Sequence, residues 1–203
     1  MKIIADQIVK TFQRRKVIRG VKFALESPGS LVVTGPNGSG KTTLVRIICG
    51  LLSPSSGGVH FYKKNRRLSR DEISQHLALV GPYLHFYRDL TAWENLQFFA
   101  KARFGTVDKK RVFALLDQLG LKNRHNDELK AYSSGMLQRI KYVAALYHQP
   151  ELLILDEPTA NLDNEGKQRV YEIIETQKKE RMLIIATNEP EEIAFAAQRV
   201  DIA

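Results

Sequence analysis

One cysteine, one tryptophan and no long apolar run set the outer limits of this 203-residue sequence. A single thiol, Cys49, can close no disulfide within the chain, which fits a reducing compartment. The longest apolar stretches, Leu152–Leu155 and Met182–Ala186, fall far short of the roughly 20 residues that a membrane-crossing helix needs. The N-terminal MKIIADQIVK lacks the apolar core and small-residue cleavage site of a secretory signal. There is no internal repeat, low-complexity tract or long linker. The five histidines (His60, His76, His85, His125, His148) show no metal-ligand spacing, so surface or packing roles are expected for them. These absences lead to the expectation of a soluble, cytoplasmic chain.

Acidic residues are in deficit. Against 31 Lys and Arg stand 22 Asp and Glu, for a net charge of +9. Basic clusters occur at Arg14-Arg15-Lys16, at Lys63-Lys64 with Arg66-Arg67, and at Lys109-Lys110-Arg111. Such a balance suits an anionic partner: nucleotide, nucleic acid or an acidic membrane surface. Each cluster alone also reads as a solvated face, so charge does not choose among these.

What is present is a change of character along the chain. Ile3–Val9 and Val21–Leu25 alternate apolar with polar residues and predict strands separated by a charged, turn-like stretch. Leu31–Thr34 predicts a short buried strand, Thr42–Cys49 a helix, Ser53–Gly58 a turn and Val59–Tyr62 an edge strand. Thr91 followed by Glu94 is a capping-box signature that opens a helix to Phe104, with Leu96, Phe99 and Ala100 on one face. A second helix, Asp108–Leu119, carries Val112, Leu115, Leu116 and Leu119 on one side and stops at Gly120. The last third alternates strand Leu152–Leu155, helix Glu165–Gln177, strand Met182–Ala186, helix Pro190–Ala197 and a final run Val200–Ile202. Alternating strands and helices imply parallel strands with crossovers. The expected architecture is an α/β domain over residues 1–203, with its core in 1–84 and 148–203 and a helical subdomain at about 85–147. The abrupt end in a strand-like run suggests a further short C-terminal piece.

Three short segments carry chemistry. GPNGSGKTT, residues 35–43, satisfies G-x-x-x-x-G-K-[ST] between an apolar strand and a helix, the context that makes this pattern a phosphate loop. Gly35, Gly38 and Gly40 allow backbone conformations that turn successive N–H groups inward, around Pro36, Asn37 and Ser39, and the following helix start adds its dipole. Lys41 would reach the β- and γ-phosphates, the Thr42 hydroxyl is suited to Mg²⁺, and Thr43 completes the set of nucleotide-binding residues. LLILDEPTANLD, residues 152–163, ends an apolar strand in two adjacent acids. Pro158 predicts that the strand stops there, leaving Asp156 to hold Mg²⁺ through water and Glu157 to orient and polarise an attacking water. YSSGMLQR, residues 132–139, places Ser133 at the N-cap of a helix Gly135–Tyr147, a second anion site.

Over nearly the whole chain, and in the same order, these motifs resemble those of the ATP-binding-cassette (ABC) ATPases, the nucleotide-binding subunits of ABC transporters. The resemblance implies a phosphate-loop core with a mainly parallel sheet, an N-terminal antiparallel β subdomain and an inserted helical subdomain. YSSGM resembles the family's L-S-G-G-Q signature, with Ser134 in place of a glycine and Met136 in place of the glutamine. In the family this segment meets the γ-phosphate held by the opposite subunit. The implied partners are therefore ATP, a second copy of the chain or a homologous ATPase subunit, and a separate transmembrane permease. That would place the chain at the inner face of the cell membrane. Phe12 is similar to the aromatic that stacks on adenine, and could equally be a core residue of the first hairpin. ANLD resembles the loop that crosses the dimer interface, with Asp163 its acid, and LTAWENLQFF resembles the start of the helical subdomain.

Two family residues are missing. No glutamine lies between Gly81 and Glu94; its place falls near Pro82. Asn188 stands where the family's switch histidine contacts the γ-phosphate, in IIATN. An asparagine amide can donate a neutral hydrogen bond but carries no proton or charge, so slower hydrolysis is expected. Asn188 could also cap the helix at Pro190. Trp93, Phe98 and Tyr87 could line a groove for a partner helix, or be core. The length, LTAWENLQFF and YSSGM resemble exporter-type cassettes, including the haem-exporter subunit of cytochrome c maturation. Two alternatives stay open: a nucleotide-binding regulatory subunit that hydrolyses weakly or not at all, and a cassette ATPase acting on nucleic acid. The second is disfavoured by the lack of a heptad array and of a second cassette.

Overall fold

In a computed structural model that describes residues 1–202, the chain runs β1 (Lys2–Phe12), β2 (Arg15–Glu26), β3 (Gly29–Thr34), α1 (Lys41–Ile48), β4 (Ser56–Lys63), β5 (Arg66–Arg67), α2 (Arg70–His76) and β6 (Leu77–Val80). It continues α3 (Ala92–Phe104), α4 (Lys109–Gln118), a 3₁₀ turn at Leu129–Ala131, α5 (Ser134–Leu146), β7 (Leu152–Asp156), α6 (Asn164–Glu180), β8 (Met182–Ala186), α7 (Pro190–Ile193) and β9 (Gln198–Asp201). Two compact units result. One takes in Met1–Leu79, Pro150–Pro158 and the chain from Ile174 onward; the other takes in Val80–Gln149 and Thr159–Ile173.

The first unit holds two sheets. An antiparallel sheet has the order β2-β1-β4-β5, and a second sheet has the order β6-β7-β8-β3-β9. Within the latter, β7 pairs with β8, and β3 with both β8 and β9, all in parallel. Every residue of β7 and β8 is buried, the continuous apolar pattern of strands covered on both faces. Leu44, Val45, Ile47 and Ile48 of α1 share a core with Leu31 and Val33 of β3, Leu152 and Ile154 of β7, and Ile184 of β8. That packing fixes the start of α1 at the C-terminal ends of the parallel strands.

In the second unit α3 and α4 both pack on α5. Thr91 and Glu94 close the expected capping box on α3, Asp108 caps α4, and Gly105 ends α3 in a left-handed turn. The carboxamide of Asn95, fully buried, accepts from the Tyr87 N–H at 2.8 Å and donates to the Tyr87, Leu90 and Thr91 carbonyls. A buried amide satisfied at both ends sets the approach to α3.

Several sequence expectations change. The charged stretch between the first two strands is itself strand: β1 and β2 are longer than Ile3–Val9 and Val21–Leu25. Only Gln13 and Arg14, both at positive φ, turn between them, the backbone a tight hairpin requires. Ser56–Gly58 belongs to β4 rather than to a turn, and β4 lies between β1 and β5 rather than at an edge. The helix expected over Pro190–Ala197 ends at Ile193. There the Ser30 hydroxyl accepts from the Ala197 N–H and donates to the Phe195 carbonyl, diverting the backbone from a helical ladder. α2, unforeseen, has its own capping box at Ser69 and Glu72.

Candidate functional site

Residues 35–40 leave β3 and enter α1 as a loop, and two glycines are required there. At Gly35, φ is 147° and a β-carbon would lie 2.2 Å from the Ile202 carbonyl oxygen. At Gly40, φ is 113° and a β-carbon would meet Val17 Cγ1 at 2.7 Å. The first backbone bond of α1 runs from Leu44 N–H to the Gly40 carbonyl, so the N–H groups of Lys41, Thr42 and Thr43 have no partner within the helix. No acid stands in the first turn, and the helix dipole adds to an anion-attracting terminus. Lys41 is 6% exposed, its ammonium donating to the carbonyls of Gly35 at 2.7 Å and Pro36 at 3.3 Å.

The end of β7 reaches the same place. Asp156, 2% exposed, accepts from the Thr42 hydroxyl at 2.8 Å through Oδ2. The strand ends at Asp156, as expected from Pro158, and Glu157 adopts a left-handed φ of 52° with its N–H on the Ala186 carbonyl at 2.9 Å. A left-handed non-glycine residue costs of order 1 kcal/mol or more and persists where the surroundings impose it. The turn leaves the Glu157 side chain exposed while Asp156 stays buried.

Phe12, Asn37, Gly38, Lys41, Thr42 and Glu157 line one cavity of about 370 Å³. Phe12, at the tip of the first hairpin and 44% exposed, is therefore a wall of this cavity rather than a core residue. Val17 of β2 also lines it, a position that a one-sequence reading of the hairpin does not single out. The cavity fits phosphate by the chemistry of its lining: the Lys41 ammonium and the N–H groups of Lys41, Thr42 and Thr43, which have no partner within the helix, belong to residues at its wall. The hydroxyl of Thr42 beside the carboxylate of Asp156 is an all-oxygen donor set of the kind Mg²⁺ takes.

Asn188 follows β8 and Thr187. Its Oδ1 accepts from the Gly35 N–H at 3.3 Å and its Nδ2 donates to Asn37 Oδ1 at 3.1 Å. It does not cap α7, whose N-cap is Glu189 without a side-chain bond; the Thr187 hydroxyl instead accepts from the Glu189 N–H at 3.0 Å.

In the second unit Ser133 is the N-cap of α5, its hydroxyl accepting from the Met136 N–H at 3.2 Å, and it is exposed. A β-carbon at Gly135 would come 3.0 Å from the Asn161 carbonyl oxygen, so the YSSGM and ANLD segments pack closely there. Asp163 Oδ1 accepts from the Gly166 N–H at 2.8 Å at the start of α6. Pro82, two residues beyond β6, is exposed. The aromatic groove does not form as one group: Trp93 packs edge-on against Phe113, while Tyr87 and Phe98 pack edge-on against each other. Among the described residues no helix is long and apolar enough to cross a membrane.

Comparison with known proteins shows the family. Residues 18–160 match the ABC transporter family. The linearmycin resistance ATP-binding protein of Bacillus subtilis is 33% identical over 202 residues, 98% of this chain and 65% of that protein. A lantibiotic transport ATP-binding protein of Streptococcus pyogenes is 34% identical over 90% of this chain and 78% of its own length. Against several other curated relatives the chain spans only 51% to 64% of their length. Among solved structures, a dimeric ATP-binding cassette in a post-hydrolysis state bound to ADP and Pi superposes with a TM-score of 0.86. That match covers 98% of this chain and 94% of the other at 21% identity, a likeness of fold. The chain belongs to the ABC transporter family, as an ATP-binding cassette.

Proposed function

We propose that the chain binds and hydrolyses ATP with Mg²⁺, as one of two such subunits that drive a separate membrane-spanning permease. The observation that carries the reading is the convergence of Phe12, Lys41, Thr42 and Glu157 on one cavity, with Asp156 held behind Thr42.

Each residue has a part that its surroundings support. Phe12 offers a π-face to the base. The N–H groups of Asn37, Gly38 and Gly40 in the loop, and of Lys41, Thr42 and Thr43 in the first turn of α1, cradle the phosphates, on a loop whose course is set by Gly35, Pro36 and Ser39. Lys41 directs its protons at two loop carbonyls and would exchange these for charged phosphate oxygens, a stronger pairing. Thr42 and Asp156 would hold Mg²⁺, which supplies positive charge against the triphosphate. Glu157, exposed at the cavity wall, orients a water for in-line attack on the γ-phosphorus and accepts its proton as the bond to the β-phosphate oxygen breaks. Ser133 and Gly135 of a second copy would close over the triphosphate, presenting the N-terminus of α5. Relatives named for transport support a permease partner, and the chain would then lie at the inner face of the membrane. Nucleic acid is not a favoured partner.

Turnover would be slow, because Asn188 supplies no charged donor and no glutamine stands near Pro82. Steady-state ATP hydrolysis by the purified chain tests this, beside Lys41→Ala and Asn188→His. A low rate that Lys41→Ala abolishes and that Asn188→His raises at saturating ATP is the expected result. Hydrolysis that survives Lys41→Ala would overturn the assignment, and a rate unchanged in Asn188→His would remove Asn188 as the cause of slowness.

A further inference from the structure

The side chain of Asn188 is engaged by the phosphate loop. The backbone before it is anchored: Thr187, 1% exposed, continues the parallel ladder with its N–H on the Val33 carbonyl at 3.1 Å, and its hydroxyl accepts from the Glu189 N–H. From that anchor the carboxamide makes two bonds at once, to the Gly35 N–H and to Asn37 Oδ1. The orientation of the amide follows from chemistry, since a backbone N–H can only donate and so faces the oxygen. A carboxamide carries its acceptor and its donor on one carbon, close enough to span adjacent turns of a loop. A neutral imidazole also offers one donor and one acceptor, but its two nitrogens point in diverging directions around the ring and cannot face that pair together.

Gly35 is thereby held at both ends. Its N–H is taken by Asn188 and its carbonyl by the Lys41 ammonium at 2.7 Å. Arriving phosphates would draw Lys41 away from the carbonyl. Neither bond of Asn188 uses Lys41 or the N–H groups at the start of α1, so both can persist with nucleotide bound.

We infer that Asn188 is a positioning residue that preorganises the phosphate loop through Gly35 and Asn37, serving di- and triphosphates alike rather than acting on the terminal phosphate. This rests on the nucleotide-binding reading above. Because both bonds are present with and without nucleotide, their loss weakens binding through the cost of ordering a freed loop, roughly 5- to 10-fold.

Calorimetric titration of the purified chain with ADP and with the non-hydrolysable AMP-PNP, each with excess Mg²⁺, tests it. Asn188→Ala should weaken both nucleotides by the same factor. Asn37→Ala should weaken both by less, and the Asn37→Ala/Asn188→Ala double variant should bind no more weakly than Asn188→Ala, because the shared bond is already gone. Weakening confined to AMP-PNP, unchanged affinity for both nucleotides, or full additivity of the two substitutions would each overturn the inference. Failure of the unaltered chain to bind either nucleotide would overturn the nucleotide-binding reading and this inference with it.

Discussion

The Thr42 hydroxyl donates to Asp156 Oδ2 at 2.8 Å, joining the first turn of α1 to the last residue of β7 across 114 positions of sequence. The two meet because α1 and β7 share a core through Leu44, Val45, Leu152 and Ile154. Asp156→Asn keeps the shape but weakens the acceptor and removes a charge from the proposed Mg²⁺ site. The Mg²⁺ concentration that supports ATP binding should rise by about 10- to 100-fold, the usual cost of losing a group around a metal site. Thr42→Ser keeps the hydroxyl and should titrate close to the unaltered chain. An Mg²⁺ midpoint indifferent to Asp156→Asn would remove Asp156 from the metal site.

Ser133 both caps α5 and, in the proposed dimer, faces a phosphate. Two substitutions separate these roles. Ser133→Ala loses the cap, at a cost of about 1 kcal/mol, whereas Ser133→Asp retains a good cap. The melting temperature should therefore fall for Ala and hold for Asp. ATP-dependent dimerisation should order the other way, weaker for Asp than for Ala, because a carboxylate repels the phosphate. A dimer as firm in the Ser133→Asp variant as in the unaltered chain would leave Ser133 a cap alone.

The α2 cap is a pH-sensitive element. A hydrogen bond from the Arg66 guanidinium, then bonds from Ser69, bring the Glu72 carboxyl from its usual 4.5 down to about 2. A carboxylate depressed in the folded state adds stability that is fully present above pH 4.5 and is lost as pH falls toward 2. In low salt, the melting temperature of the unaltered chain should exceed that of Glu72→Gln at pH 6, with the gap narrowing at pH 3. A gap constant across that range would show the cap to be independent of the charge.

Elements whose signals are local were legible in the sequence. The strand-loop-helix around Lys41, the Thr91–Glu94 capping box, the Ser133 cap and the break at Pro158 each rest on residues a few positions apart. The first hairpin was blurred because its turn uses Gln13 and Arg14 at positive φ, where glycine or asparagine would have announced it. α7 was overextended because its end is set by Ser30, 165 to 167 positions away. The same distance problem hid the setting of Asn188. Its partners Gly35 and Asn37 lie 153 and 151 positions back, so its residue type was readable and its hydrogen bonds were not. α2 was readable, since Ser69 and Glu72 have capping-box spacing, but its lack of a buried face leaves no apolar stripe to draw attention.

The central claim is that ATP draws two copies of this chain together and that Glu157 then promotes its hydrolysis. Light scattering on Glu157→Gln, with and without Mg-ATP, beside an ATP hydrolysis assay of the same variant, addresses both halves, since the amide preserves shape and cannot accept the proton. The account predicts a monomer that becomes a lasting dimer when Mg-ATP is added, with hydrolysis slowed by about 10²- to 10⁴-fold relative to the unaltered chain. A variant that binds Mg-ATP, stays monomeric and hydrolyses at the unaltered rate would contradict it.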